Sequence, residues 1–324
     1  MQNIKKILVR NRAFKILHVL LVRLFTTLFI PFKKFISFLN QFKFIRNIIF
    51  NFLLPNKLLI QDIDNIKFTL STDDFVNSKK IYVTRSFPQL DVFENILKLL
   101  KNLNYKIDTI VDIGAHYGNI VIPAMIKFEF SKGFAVEPIL KNFDILKFNL
   151  VLNNLEEKVT LFNNYLDEYE SEIYIDTFKN NSAAAISIDK LDKTSQKKFT
   201  RYNNLNKDEK NILISNTLNN LFKGIQLKNS IFWIYAQGKE FEIIKGGSQI
   251  LNRKQPLVIS FVPYLLNKNI MPKNIVTILI NLGYSKFINI EEKNNQLHLI
   301  NEETIEFLFQ KYKHTYSSTF LLII

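Results

Sequence analysis

The sequence predicts an α/β fold of the Rossmann-like, doubly wound kind. It should hold a mostly parallel sheet with helices on both faces and antiparallel strands at its edge, preceded by an N-terminal helical segment. Three observations predict it. Short apolar runs alternate with helix-period stretches from about residue 90 to 265, the pattern of βαβ units. Thr109-Ile-Val-Asp-Ile-Gly-Ala-His-Tyr-Gly-Asn119 reads as a buried strand passing through a glycine turn into a helix. Ala135-Val-Glu137-Pro138 then ends a second strand on an acid.

Taken in order, residues 1–56 form a basic, apolar helical segment and residues 57–324 the body. Pro31 and Pro55 punctuate the segment, because proline interrupts a helix it enters. Leu58 to Leu70 reads as a hairpin, Phe93 to Leu100 as a helix and Ile107 to Ile113 as the first core strand. Asn119 to Phe130 is a helix, Gly133 to Glu137 the second strand, Ile139 to Asn153 a helix and Val159 to Phe162 the third strand. Glu172 to Asp176 and Ala183 to Ile188 alternate enough for a hairpin. Asp189 to Asn211, the least apolar part of the body, reads as a solvated insertion beside the site. Ser230 to Ala236 and Pro256 to Val262 are buried strands flanking a helix that ends near Ile244. Lys273 to Leu282 and Glu302 to Phe309 read as helices, and Phe287 to Ile290, Gln296 to Ile300 and Thr319 to Ile324 as late strands.

Charge is unevenly placed. Residues 1–60 hold eleven Lys and Arg and no acid, leaving 32 basic against 29 acidic groups in the rest of a chain whose net charge is +14. A nearly balanced body argues against a nucleic-acid partner, which needs a positive face. Between Arg23 and Lys33 only nine residues are free of charge, short of the roughly 18 that a membrane span needs. A basic stripe through Arg12, Lys15 and Arg23 beside Leu17, Leu20, Leu24 and Leu28 suits an interfacial helix. Packing on the body or on a partner, peripheral contact with a membrane through residues 1–50, and a true anchor all stay open. The absence of cysteine excludes disulfides and thiolate ligands, and the expected location is cytoplasmic, at or near the inner membrane face. The four histidines are scattered, so no metal is expected.

The glycine turn carries the chemistry. Gly114 and Gly118 lack a Cβ, which lets the chain turn tightly and a ligand approach it. The turn is Asp112-Ile-Gly114-Ala115-His116-Tyr-Gly118-Asn119 and lacks the G-x-G-x-x-G of a pyrophosphate cradle. An acid at this point repels phosphate and suits a cation. Glu137, 23 residues beyond Gly114, stands near the spacing at which an acid accepts hydrogen bonds from ribose hydroxyls. An adenosine bearing a positive charge fits both acids, which indicates S-adenosylmethionine. Asp112, Gly114, Ala115, His116, Gly118, Asn119, Glu137 and, at the third strand's end, Asn164 are the expected cofactor-binding residues.

The order Phe93-Glu94, Val111 to Gly118, Glu137-Pro138, Thr217 to Leu221, Ile234 to Glu240 and Lys245-Gly-Gly247 resembles the FkbM family of S-adenosylmethionine-dependent methyltransferases. The resemblance covers about residues 90–265. It implies O-methylation of sugars or related hydroxyl-bearing acceptors, often in the making of surface polysaccharides or natural products. Where the family reads Ile-Asp-Val-Glu-Gly-x-Glu, this chain reads Ile234-Tyr-Ala-Gln-Gly-Lys-Glu240. Tyr235 and Gln237 replace acids, as do Phe261 after the next strand and Asn219. The acceptor's proton is then left to Glu240 or His116, with Tyr235, Trp233 or Phe261 offering an aromatic face to the sulfonium. The competing reading is a degenerate protein of the same fold that serves as a scaffold.

Overall fold

The computed structural model describes residues 38, 41–52, 57–178, 181–183, 193, 207–251, 255–267, 269–312 and 317–323. They fall into two compact units, residues 1–53 with 82–84, and residues 54–81 with 85–324. In the smaller unit helix α1 (Lys43–Asn51) is pinned by Arg46, whose guanidinium donates to the carbonyls of Val83 and Gln41, each at 2.7 Å. No helix among the described residues is long and apolar enough to cross a membrane.

The larger unit opens with the hairpin β1 (Leu58–Ile63) and β2 (Ile66–Ser71), turned through Asp64 and Asn65 in the left-handed region. Helix α2 (Asn77–Thr84), whose last three residues belong to the smaller unit, and α3 (Leu90–Asn102) precede strand β3 (Thr109–Ile113). Then come α4 (Val121–Lys127), β4 (Lys132–Val136), α5 (Leu140–Leu152) and β5 (Val159–Phe162). A side sheet follows, with β6 (Tyr165–Leu166), β7 (Glu172–Phe178) and β8 (Lys207–Asn216) in the order β6-β8-β7. After the short helix α6 (Leu218–Leu221) the chain returns as β9 (Ser230–Ile234), α7 (Glu240–Gly246), α8 (Ser248–Leu251) and β10 (Leu257–Phe261). It ends with α9 (Pro272–Asn281), β11 (Lys286–Asn289), β12 (Leu297–Leu299), α10 (Glu302–Lys311) and β13 (Ser318–Ile323).

The main sheet runs β12-β11-β13-β10-β9-β3-β4-β5. Strands β5, β4, β3, β9 and β10 are mutually parallel, and β13 lies antiparallel between β10 and β11. Every residue of β3, β9 and β10 is buried, as parallel strands covered on both faces require. Their side chains join Phe134, Phe222, Phe241 and Tyr284 in one large core. The doubly wound α/β architecture read from the sequence is therefore the one observed, including the antiparallel edge.

One strand pairing differs. The expected partner of β7 was Ala183 to Ile188, most of which lies outside the described residues, yet β7 pairs with β8, which begins inside the stretch 189–211 read as a solvated insertion and runs on to Asn216. Ile212 and Ile214 of β8 are exposed while Leu213 packs on Tyr165, Ile173 and Ile175 and Ser215 is buried, so apolar residues stand on both sides of the strand and its sequence lacks the apolar–polar alternation of a half-buried one. Helix α2 was also unread, because its sequence has little apolar periodicity.

Candidate functional site

The chain leaves β3 toward β4 and β5 on one side and returns to β9 and β10 on the other, so the winding reverses between β3 and β9. Open α/β sheets bind ligands beyond the carboxyl ends of strands at such a point. A cavity of about 290 Å³ lies there, walled by Asp112 to His116 after β3, Glu137 and Pro138 after β4, and Tyr235 to Gln237 after β9. That volume is at the lower edge of the roughly 300–1,000 Å³ of small-molecule sites.

The turn after β3 is built by two glycines. Gly114 has φ +85, and a Cβ there would stand 2.2 Å from the Tyr235 carbonyl oxygen. Gly118 has φ +93, and its Cβ would meet Ile122 and Leu146 at 2.6 and 2.9 Å. The missing side chains thus make room for β9 and for helix packing, a role beyond the ligand approach expected from the sequence. His116 also holds a left-handed backbone, φ +53, which aims its N–H at Glu137 Oε2, 2.9 Å away.

Glu137 is buried and largely engaged by the protein. Its Oε1 accepts from Ile139 N–H at 3.0 Å and Asn142 Nδ2 at 3.1 Å. Burial pushes its pKa up to about 7 against those hydrogen bonds. Asp112 Oδ2 accepts from Val121 N–H at 3.1 Å, at the start of α4. Burial, and then the nearby Glu137, raise its pKa to about 7 against the Val121 hydrogen bond. Two buried carboxyls that share one wall and are held near neutrality accommodate a cation that arrives with a ligand.

His116 is buried, stacked on Tyr117 with centroids 3.8 Å apart, and within 2.7 Å of Ser182 Oγ through Nε2. Burial lowers its pKa to about 4, although Asp74 pulls the other way, so the ring is neutral at pH 7. Asp74 was not singled out from sequence. Its carboxylate accepts from the N–H groups of Val76, Asn77 and Ser78 at 2.9–3.1 Å and starts α2. The signal was present, since Ser71-Thr-Asp-Asp74 is a helix-start pattern.

Asn142 was missed for want of any motif. Its Nδ2 donates both to Glu137 Oε1 and to the Ser182 carbonyl at 2.9 Å. Two acceptors on one amide nitrogen fix the amide's orientation, and Oδ1 is left buried with no hydrogen-bond partner, as is Oδ1 of Asn119. Both residues line the cavity, as does Asn164, and an unpaired buried carbonyl calls for a donor.

The opposite wall disposes of its groups differently. Tyr235 stacks on Trp233 with the rings 4.9 Å apart and nearly parallel, and its hydroxyl is bonded to Thr319. Both rings line the cavity, but the phenol is committed to β13 and burial raises its pKa, which argues against the catalytic role expected of it. Glu240 does not line the cavity. Its Oε1 accepts from Ala236 N–H at 3.0 Å and Ser260 Oγ at 2.7 Å, so it ties the 236–240 loop to β10. The proton-accepting role expected of Glu240 is corrected on this geometry. Phe261 is likewise corrected: it packs on Phe241, Phe309, Tyr312 and Phe320 inside the core, away from the cavity. Asn219 Oδ1 accepts from Gln249 and Ile250 N–H and starts α8. Lys239, which the sequence reading passed over, reaches the cavity wall and pairs with Asp167 at 2.8 Å and Glu242 at 3.2 Å. Burial opposes its charge, but Tyr165, Glu242 and Asp167 outweigh it and keep the amine protonated. Among the described residues no group of three or more His, Cys, Asp or Glu is placed to hold a metal ion.

The sequence matches no family profile and no curated protein. Among solved structures, the chain is similar to the methyltransferase FkbM from Methylobacillus flagellatus KT, with a TM-score of 0.43 and 12% identity over 78% of this chain and 56% of that one. It therefore spans little more than half the length of that structure. A precorrin-6y C5,15-methyltransferase from Geobacter metallireducens GS-15 gives a TM-score of 0.35 at 13% identity, over 71% and 87% of the two chains. TrmK from M. capricolum, solved with S-adenosylhomocysteine, gives 0.34 at 13% identity, over 70% and 66%.

Proposed function

We propose that the switch-point cavity binds S-adenosylmethionine and that the protein transfers its methyl group to a hydroxyl, on a sugar or a related surface-polysaccharide or natural-product acceptor. One observation carries the cofactor reading: Asp112 and Glu137, both buried and raised to about 7, share a cavity wall whose turn has no glycine cradle for phosphate. Such a wall repels phosphate and favours a cationic, hydroxyl-rich ligand. The unpaired carbonyls of Asn119 and Asn142 fit the same ligand, since they need donors. Trp233 and Tyr235 add an aromatic surface suited to a sulfonium.

When bound, the cofactor supplies a methyl carbon on positively charged sulfur. Transfer of that methyl group to a hydroxyl would require a residue of the cavity to take the hydroxyl proton. His116 lines the cavity and is neutral, so an imidazole nitrogen is open to that proton, but the burial that lowers its pKa to about 4 makes it a weak base until a bound ligand changes its surroundings. Its companion Ser182 already brings a hydroxyl to Nε2.

A second reading, a cofactor-binding scaffold without turnover, is favoured by the fate of the other candidates. Tyr235 is tied to Thr319 and Glu240 is sealed off from the cavity. Calorimetry with S-adenosylmethionine, paired with a radiolabelled methyl assay on a glycan fraction and an RNA fraction, separates the outcomes. Binding with methyl transfer to glycan supports the first reading, and binding without transfer the second. Labelled RNA would replace the acceptor, and no binding at millimolar cofactor would sink both readings.

A further inference from the structure

Helix α1 carries an apolar face that the described residues leave uncovered. Phe44, Ile48 and Phe52 follow one another at four-residue spacing, with relative exposures of 71%, 36% and 84%. Phe38 and Phe42 meet edge to face at 5.5 Å and are 53% and 49% exposed. The inward side is already used: Arg46 is occupied by the Val83 and Gln41 carbonyls, and Phe50 lies against Tyr82 with centroids 5.5 Å apart. Five large side chains in water within one short stretch mark an interaction surface.

Charge indicates what covers it. Residues 1–60 carry eleven basic groups and no acid, so two copies of this segment repel one another. A partner that is anionic at its surface and apolar beneath satisfies both features at once. As described, helix α1 has nine residues, about half of the roughly 20 needed to span a bilayer, and its row of exposed Phe44, Ile48 and Phe52 suits an orientation in the plane of the interface. We propose that this face docks on an anionic lipid bilayer, with Phe44, Ile48 and Phe52 entering the headgroup boundary and the positive charge of residues 1–60 drawing the chain to lipid phosphates. The proposal is independent of what the cavity binds.

Flotation of the full chain with vesicles tests it. Binding to phosphatidylethanolamine–phosphatidylglycerol vesicles is expected to exceed binding to phosphatidylcholine vesicles at least about tenfold and to weaken as salt rises. The double variant Phe44→Ser, Phe52→Ser should lose about tenfold or more of that binding while its thermal unfolding stays at the wild-type temperature. Phe44→Trp adds a second tryptophan to a chain that has one, the buried Trp233, and its emission should shift to the blue when anionic vesicles are added. Equal binding to both lipid compositions, or wild-type binding by the double variant, overturns the proposal. So does a change of oligomeric state in the double variant without any loss of vesicle binding, which would assign the face to a second copy of the chain.

Discussion

Past the ends of β3 and β4, the buried acids Asp112 and Glu137 border the cavity, whereas past the end of β9 the buried acid Glu240 sits behind the loop it fastens. All three carboxyls are raised to about 7, and burial is the largest cause each time. A perturbed pKa therefore does not separate the ligand wall from the structural one. Reach into the cavity does. The β3–β4 wall also brings the unpaired acceptors of Asn119 and Asn142 to the cavity, while the unpaired Oε2 of Glu240 stays behind its loop and the β9 wall spends its hydroxyl on Thr319 and presents the cation of Lys239.

The largest expected effect treats the two walls alike. An acid near pKa 4 when unfolded and near 7 when folded binds more protons in the native state between those values. Its contribution to stability is then full below about pH 4 and is lost as pH rises through 7. His116, lowered to about 4, acts in the opposite sense between pH 4 and 6.5, one group against three. The net loss should be on the order of several kcal/mol across the window. Glu240→Gln and Asp112→Asn should each gain stability relative to wild type between pH 5 and 8 in urea titrations; a flat difference would contradict the shared origin of the shifts.

Next in size is the point where the walls touch. Gly114→Ala combines a left-handed backbone with a Cβ 2.2 Å from the Tyr235 carbonyl, and should cost about 3–5 kcal/mol in the same titration. A cost below about 1 kcal/mol would mean that β3 and β9 can separate there freely. The walls should then part company in ligand binding. Asp112→Asn is expected to weaken S-adenosylmethionine about 10–100-fold in calorimetry, whereas Glu240→Gln stays within about threefold. Equal losses would place Glu240 at the ligand after all. The smallest effect is that of Tyr235→Phe, which removes the bond to Thr319 and should cost about 1 kcal/mol of stability with cofactor binding retained. A Tyr235→Phe protein that binds but no longer transfers methyl would return the phenol to the chemistry.

The first wall was legible in the sequence because its residues are consecutive. Asp112 to Asn119 and Glu137 sit at spacings fixed by one βαβ unit, so chain distance stands in for spatial distance. Asn142 lies five residues beyond Glu137 in the first turn of α5, where no motif marks it, and Ser182 comes to the same place by tertiary approach from a segment 40 residues further on. Glu240 and Phe261 were misplaced for a related reason. Their positions along the chain were right for the end of β9 and β10, but whether a side chain there faces the cavity or the core depends on the strand's neighbours. The alternation of β8 failed in another way, since Ile212 and Ile214 on the exposed side flank the inward Leu213, and a strand apolar on both sides shows no period of two.

The insertion of β13 between β10 and β11 sets an order on folding. Strands β11 and β12 pair with one another, but β11 reaches the rest of the sheet through β13, whose residues come later in the chain than either. During synthesis the β11–β12 hairpin must therefore wait, its β13-facing edge unpaired, until residues 318–323 have left the ribosome and been zipped in. Thr319, the partner of the Tyr235 hydroxyl, arrives with that same strand, so the bond that holds the Tyr235 ring can form only after residue 319 has been made, some 180 residues after Glu137.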